Sequence, residues 1–142
     1  MRILSLDLGE KRIGLAMSDE LGIIASPLEF LASVDSKTDI ENIKKIIDKY
    51  GASEIVVGLP LKMDGSESLT TKKVIAFAEE LKTSVNIPVN FWDERFTSKE
   101  AERLLISSDV SRRKRKGVTD SMAAQLILQG YLDSKKRQNA NG

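Results

Sequence analysis

The chain has 142 residues, 41% apolar and 30% charged, with 22 Lys and Arg against 21 Asp and Glu. That size and balance fit one soluble globular domain, and no apolar run approaches the roughly 20 residues that cross a bilayer. The absence of Cys and His excludes disulfides, thiolate nucleophiles, Cys- or His-ligated metals and the usual neutral-pH general base.

In chain order, residues 2–8 and 12–18 read as two strands joined by a glycine-containing turn, a hairpin. No cleavable apolar segment precedes them, so a cytoplasmic protein is expected. A third short strand is expected near Leu28–Leu31, after Pro27. Thr38 with Glu41 has the capping-box spacing, and Ile40, Ile43, Ile46, Ile47 and Tyr50 then recur at helical intervals up to a stop at Gly51. Residues 54–59, EIVVGL, suit a buried parallel strand. The stretch 60–68, PLKMDGSES, is a loop by composition, and a helix is predicted over 69–83. Pro88 precedes a strand over 89–94. Thr97 and Glu100 open a helix through Ala101, Leu104 and Leu105. The run Arg112, Arg113, Lys114, Arg115, Lys116 reads as a self-repelling loop that orders on binding, before a last helix from Thr119. One domain over 1–133 and a polar, flexible tail over 134–142 result. Strands in a meander that then alternate with helices imply an α/β domain, a mixed sheet covered by helices.

Without His or Cys, hydrolytic chemistry must rest on carboxylates, Lys, hydroxyls or an oxygen-liganded hard cation. Asp7 ends the first strand, Glu94 ends the last, and Asp120 lies in the first turn of the last helix. Sites in α/β sheets gather at such ends. Each acid also has a plain structural reading: Asp7 as a turn former, Glu94 as a surface partner of Arg95, Asp120 as a complement to the helix dipole. Together they would suit Mg²⁺ or Mn²⁺, which would also compensate the charge of Asp7. The turn at 9–14 could hold a phosphate through its amides, Lys11 and Arg12, or be only a hairpin turn. The basic run could contact nucleic acid or be a solvated face.

Four motifs follow in register: Asp7-Leu8-Gly9 through Lys11-Arg12-Ile13-Gly14; Gly58-Leu59-Pro60 with Asp64-Gly65; Asp93-Glu94-Arg95 with Thr97-Ser98; and Asp120-Ser121 before Ala123-Ala124. This succession resembles the YqgF (RuvX) family, described as Holliday-junction resolvases and as nucleases that mature the pre-16S rRNA. The resemblance implies an RNase H-like fold, a five-stranded mixed sheet with helices on both faces and its first three strands antiparallel. It implies that Asp7, Glu94 and Asp120 bind the metal and are catalytic, and that Lys11, Arg12 and Arg95 occupy basic or positioning sites, where with the run 112–116 they are expected to hold the phosphate backbone. Gly58, Pro60 and Gly65 match a loop whose task the sequence does not disclose.

The expected reaction is metal-dependent hydrolysis of structured nucleic acid, leaving a 5′-phosphate and a 3′-hydroxyl. A ribosomal-RNA precursor is the first expectation for the substrate and a branched DNA junction the alternative. Pre-ribosomal particles are candidate partners, and the chain is expected to be a monomer or weak homodimer that contacts no membrane. Junction resolution would need two sites, hence a dimer. One departure stands out: related nucleases often carry a fourth acid near the third, whereas this helix offers none until Asp133, about 20 Å along. A second metal would then bind weakly. Two other classes remain open on sequence grounds. Nucleotide binding like that of the actin and sugar-kinase superfamily is one, although 142 residues do not make two such domains. A non-catalytic ribosome-assembly factor is the other.

Overall fold

The computed structural model describes residues 1–96 and 112–141, with side chains over 1–95 and 121–138. Strands β1 (Arg2–Leu8), β2 (Arg12–Ser18) and β3 (Ala25–Ala32) are followed by helix α1 (Ser36–Tyr50), β4 (Ala52–Leu59), α2 (Leu69–Ser84), β5 (Val89–Asp93), a 3₁₀ turn (Glu94–Phe96) and α3 (Arg112–Asn141). The sheet has the order β3-β2-β1-β4-β5. Antiparallel pairing joins β1, β2 and β3, and parallel pairing joins β1 to β4 and β4 to β5. The helix expected from Thr97 lies outside the described residues.

Alternation along the strands decides which helix covers which face. Leu4 and Leu6 of β1, Ile13 and Leu15 of β2, and Ile55 and Val57 of β4 pack with Ile40 and Ile43 of α1 and Val74, Ala78 and Leu81 of α2. The opposite face carries Ile3, Ala16 and Val56, and meets Ala124, Ile127, Leu128 and Leu132 of α3. Both faces are therefore buried, as a mixed sheet with crossover helices requires.

The α3 face is built from small side chains. Ser5, Gly14 and Ala16 are buried there, so the helix comes close enough for Ser5 Oγ to donate to the Ala124 carbonyl at 2.7 Å. Gln125 and Gln129 saturate the start of β3: Gln125 donates to the Ala25 carbonyl, and Gln129 accepts from the Ala25 amide. At the far end of the same face Glu54 is buried, but Lys135 donates to it at 2.7 Å, and Asn90 and the Tyr131 hydroxyl also donate. Burial alone would raise the Glu54 carboxyl; these donors outweigh burial and hold it below the ordinary glutamate range.

Several boundaries differ from the sequence expectation for identifiable reasons. Helix α1 starts before Thr38, because Asp35 is the N-cap and accepts from the Thr38 amide at 2.7 Å. Gly51 does stop it, in the left-handed conformation with φ 69°, donating to the Ile47 carbonyl. Strand β3 begins at Ala25, where the α3 glutamines pin it. The backbone of residues 112–116 forms the first turns of α3 rather than a loop, as Arg and Lys are good helix formers. The helix continues through Asn141, past the start of the polar tail. Among the described residues no helix is long and apolar enough to cross a membrane.

Leu128 is fully buried between α3 and the sheet. Leu128→Ala should cost about 2–5 kcal/mol in urea unfolding. A loss under about 1 kcal/mol would mean that α3 does not dock in this way.

Candidate active site

Asp7 is the penultimate residue of β1, opposite Gly14 of β2, on the face that α3 covers. One strand over, Gly58 of β4 occupies the same face and level and pairs with Trp92 of β5. After Trp92 the chain takes two more residues and leaves the sheet in the 3₁₀ turn, which returns the Glu94 carboxylate across Gly58. A Cβ on Gly58 would lie 2.8 Å from Glu94 Oε1 and 2.4 Å from Ile127 Cδ1. Neither distance is tolerable, so the missing side chain is what admits both groups. Glu94 thereby reaches Asp7, and the two carboxyls share a hydrogen bond.

The electrostatics follow from that placement. Burial raises the Glu94 carboxyl first; the charge of Asp7, their shared hydrogen bond and the charge of Asp93 add to it and carry it to about 7. A hydrogen bond between two carboxyls requires a proton, and releasing that proton leaves two negative charges in contact. Glu54, on the same face, shows the contrast: given an ammonium and two neutral donors, it is held low. The pair at the Asp7 end offers carboxylate oxygens, the donor type that a hard divalent cation prefers. The residues therefore fit Mg²⁺ or Mn²⁺.

Asp93 points away from this pair and grips the next residue. Arg95 Nε and Nη2 donate to its carboxylate at 2.6–3.0 Å, and the Arg95 amide also donates to it. Arg95 Nη1 donates in turn to the Met63 carbonyl at 3.3 Å. Its guanidinium thus braces β5 against the loop after β4. Lys11 and Arg12 are exposed at the β1–β2 turn. The Lys11 carbonyl accepts from the Ser33 amide, and the Arg12 guanidinium lies 4.9 Å from the Phe30 ring centre. Gly9 closes that turn: its amide donates to the Arg12 carbonyl, and a Cβ would sit 2.8 Å from the same oxygen.

The structure thus brings Asp7 and Glu94 together. Asp120 has its backbone in α3, one residue before buried Ser121, whose Oγ accepts from the Leu15 amide. The side chains of Asp120, Arg112, Arg113, Lys114, Arg115 and Lys116 lie outside the described residues. Among the described residues no group of three acids is gathered. Gly58 is the site residue whose task the sequence reading missed. A glycine inside the apolar run EIVVGL was the available signal, since glycine in a strand interior often marks a close approach. A separate cavity of about 400 Å³ lies between α1, α2 and the turn after β1, on the face opposite the carboxylate pair.

Comparison with known proteins agrees with the fold. A Thermus thermophilus RuvC structure in complex with Holliday junction substrate superimposes with a TM-score of 0.61 at 12% identity, covering 96% of each chain. The fowlpox virus Holliday junction resolvase gives a TM-score of 0.56 at 16% identity, covering 94% of this chain and 99% of that one. At such identities they establish the fold, which is RNase H-like. The family model described as "RuvX: Holliday junction resolvase" matches residues 1–134, and the chain belongs to that family. A relative from Halothermothrix orenii, named "Putative pre-16S rRNA nuclease", is 49% identical over 96% of this chain and 98% of its own. One of the same name from Carboxydothermus hydrogenoformans is 49% identical over 96% and 99%.

Two outcomes test the geometry. Gly58→Ala should displace Glu94 or Ile127 and destabilise the fold by about 1–3 kcal/mol, the usual range for overpacking; unchanged stability in urea would refute the shared gap. The pH dependence of metal-free stability has a defined sign. With its pKa raised from 4.5 to about 7, native Glu94 keeps a proton that the unfolded chain has released. Stability should therefore fall as pH rises from about 4.5 through 7 and then level off. Glu94→Gln should flatten that part of the melting-temperature profile, and an unchanged slope would place the titration elsewhere.

Proposed function

We propose that this chain is a divalent-metal-dependent endonuclease that hydrolyses phosphodiesters of structured RNA, with the pre-16S rRNA as its substrate. The observation that carries this reading is the hydrogen-bonded Asp7–Glu94 pair, one acid near the end of β1 and one in the turn after β5, where burial and the Asp7 charge raise the Glu94 carboxyl. Relatives sharing about half of the sequence over nearly its full length carry a pre-16S rRNA nuclease name, which favours RNA over DNA. Asp120 is assigned as the third ligand on helical periodicity. Position 120 lies one turn before Ala124 and two before Ile127, on the stripe of α3 that meets Ser5 and Gly58.

Asp7 and Glu94 would hold Mg²⁺ or Mn²⁺ from the strand side, and Asp120 from the helix side. Bound there, such an ion lowers the pKa of a water and offsets charge on the phosphate. The chain's own groups do the remaining work. Asp7 and Glu94 give up their shared proton, so that both carboxylates present anionic oxygens. Lys11 and Arg12 stand at the end of the same hairpin, where the phosphate backbone of a bound strand would run. The cations at 112–116 precede Asp120 on α3 and extend that contact in a salt-dependent way. Water oxygen adds to phosphorus as the bond to the 3′ oxygen breaks; the water releases a proton to solvent and the 3′ oxygen takes one up, leaving a 3′-hydroxyl and a 5′-phosphate. The chain is assigned to the cytoplasm, where pre-ribosomal particles would present this substrate.

The test uses a transcript carrying 16S flanking sequence and a synthetic four-way DNA junction, each with Mg²⁺ or Mn²⁺. The transcript should be cut, and Asp7→Asn should lower the rate by more than about a hundredfold, beyond the loss typical of an outer-shell partner. Equal cutting by the variant would exclude this site. Cleavage of the junction alone, by a dimer, would favour the resolvase reading. Binding that survives EDTA, with no cleavage under any metal, would favour an assembly factor.

A further inference from the structure

We propose that the turn between β4 and α2 is a rigid wedge whose apolar tip, Met63, packs against an unpaired base beside the scissile phosphate, and that Arg95 is the positioning residue that fixes the tip. The inference rests on the nuclease reading above and adds the element that selects structured over regularly paired RNA.

Met63 is 79% exposed, as is Leu69 at the start of α2. Single exposed apolar residues are ordinary and explain nothing by themselves. Leu21 stands as exposed on a turn that is also well bonded, through Asp19 and Gly22; the Met63 tip differs in being tied to the residue after Glu94. The Lys62 amide donates to the Ser66 carbonyl at 3.0 Å, and the Gly65 amide donates back to the Lys62 carbonyl at 2.8 Å. Asp64 Oδ1 accepts from both the amide and the hydroxyl of Ser66. The Thr71 hydroxyl, buried under the loop, donates to the Pro60 carbonyl. Gly65 takes φ +87°, a conformation other residues rarely adopt, and a Cβ there would come 3.3 Å from Arg95 Nη1. Arg95, itself gripped by Asp93, then donates to the carbonyl of Met63. An ordered turn thus carries an apolar side chain, Met63, outward into water.

Position supplies the occupant. The turn begins two residues after Gly58, the residue over which Glu94 lies, and its brace is the residue after Glu94. Strands β1, β4 and β5 run parallel, so this turn leaves the same end of the sheet as Asp7 and Glu94, where a strand with its phosphate at the carboxylates would lie. Methionine is among the apolar side chains that proteins insert between bases, and exposed Lys62 beside it suits the adjoining phosphate. A fully stacked duplex gives such a side chain little apolar surface to cover, whereas a bulge or branch does.

The experiment uses the full chain carrying Asp7→Asn, so that binding is read without cleavage. Two RNAs are compared: a paired duplex, and the same duplex with one bulged 2-aminopurine. Binding should raise the 2-aminopurine fluorescence as the base leaves its neighbours. Adding Met63→Ala should abolish that rise and weaken binding of the bulged RNA about tenfold, the scale of one large apolar side chain left unburied, while the paired duplex binds as before. Met63→Leu should restore both readouts. Arg95→Lys should lose the fluorescence rise although Met63 is present, because only its position is disturbed. An unchanged rise in Met63→Ala overturns the inference. So does an equal loss on both RNAs, the pattern expected if the tip served a protein partner or the fold. Failure of the wild type and Asp7→Asn to bind either RNA would overturn the nuclease reading itself, and the inference with it.

Discussion

Two carboxyls that share a hydrogen bond on a half-buried surface must be forced together, because each raises the free energy of the other's charged form. Here the forcing is done by Gly58. It lies between the strand that carries Asp7 and the one that leads to Glu94, and its absent side chain leaves the space into which Glu94 returns. Ile127 of α3 enters the same gap. The helix dock and the acid pair therefore compete for one methyl-sized space. A change that loosened α3 would loosen Glu94 as well, and the site cannot be tuned independently of the fold.

The two glutamates on this face show how the sheet divides its labour. Glu54, near the start of β4, is surrounded by Lys135, Tyr131 and Asn90 and stays ionised at little cost. Glu94, past the end of β5, meets another acid instead and holds its proton to about 7. Burial acts in the same direction on both; the partner decides the outcome. A compensated acid at one end anchors α3. At the other end, burial and the charge of Asp7 disfavour the ionised form of Glu94, so a divalent cation held at the proposed site would relieve repulsion that the fold otherwise carries.

Much of this architecture was legible in the chain. The hairpin, the buried strand over 54–59 and the helix over 69–83 follow from periodicity and turn residues, whereas a shared site for Asp7 and Glu94 was implied only by the family resemblance. What stayed hidden depended on long-range contact. The start of β3 at Ala25 relies on Gln125 and Gln129, a hundred residues on. The cap of α1 was misplaced because Asp35 and Thr38 both qualify locally, and only the folded geometry chooses between them. Gly58 carried a signal, a glycine in an apolar strand, but its meaning needed Glu94 folded over it. Arg95 read as a phosphate contact, and in the structure Asp93 and the Met63 carbonyl claim its guanidinium.

That last difference bears on how a nearly neutral protein would hold a polyanion. A net charge of +1 gives no general attraction to nucleic acid, so affinity must come from cations grouped where the strand runs. Arg95 is spent on bracing, and Arg12 rests on Phe30, where its guanidinium keeps its charge at the hairpin end. The largest remaining concentration, the five cations at 112–116, falls in the first turns of α3, immediately before Asp120. Cations at a helix N-terminus oppose the macrodipole and repel one another, so this arrangement disfavours the helix start in isolation. A phosphate backbone laid across it would reverse both terms at once. The third acid of the proposed site follows directly on the segment that such a substrate would stabilise, so binding of the strand would be coupled to completion of the carboxylate set.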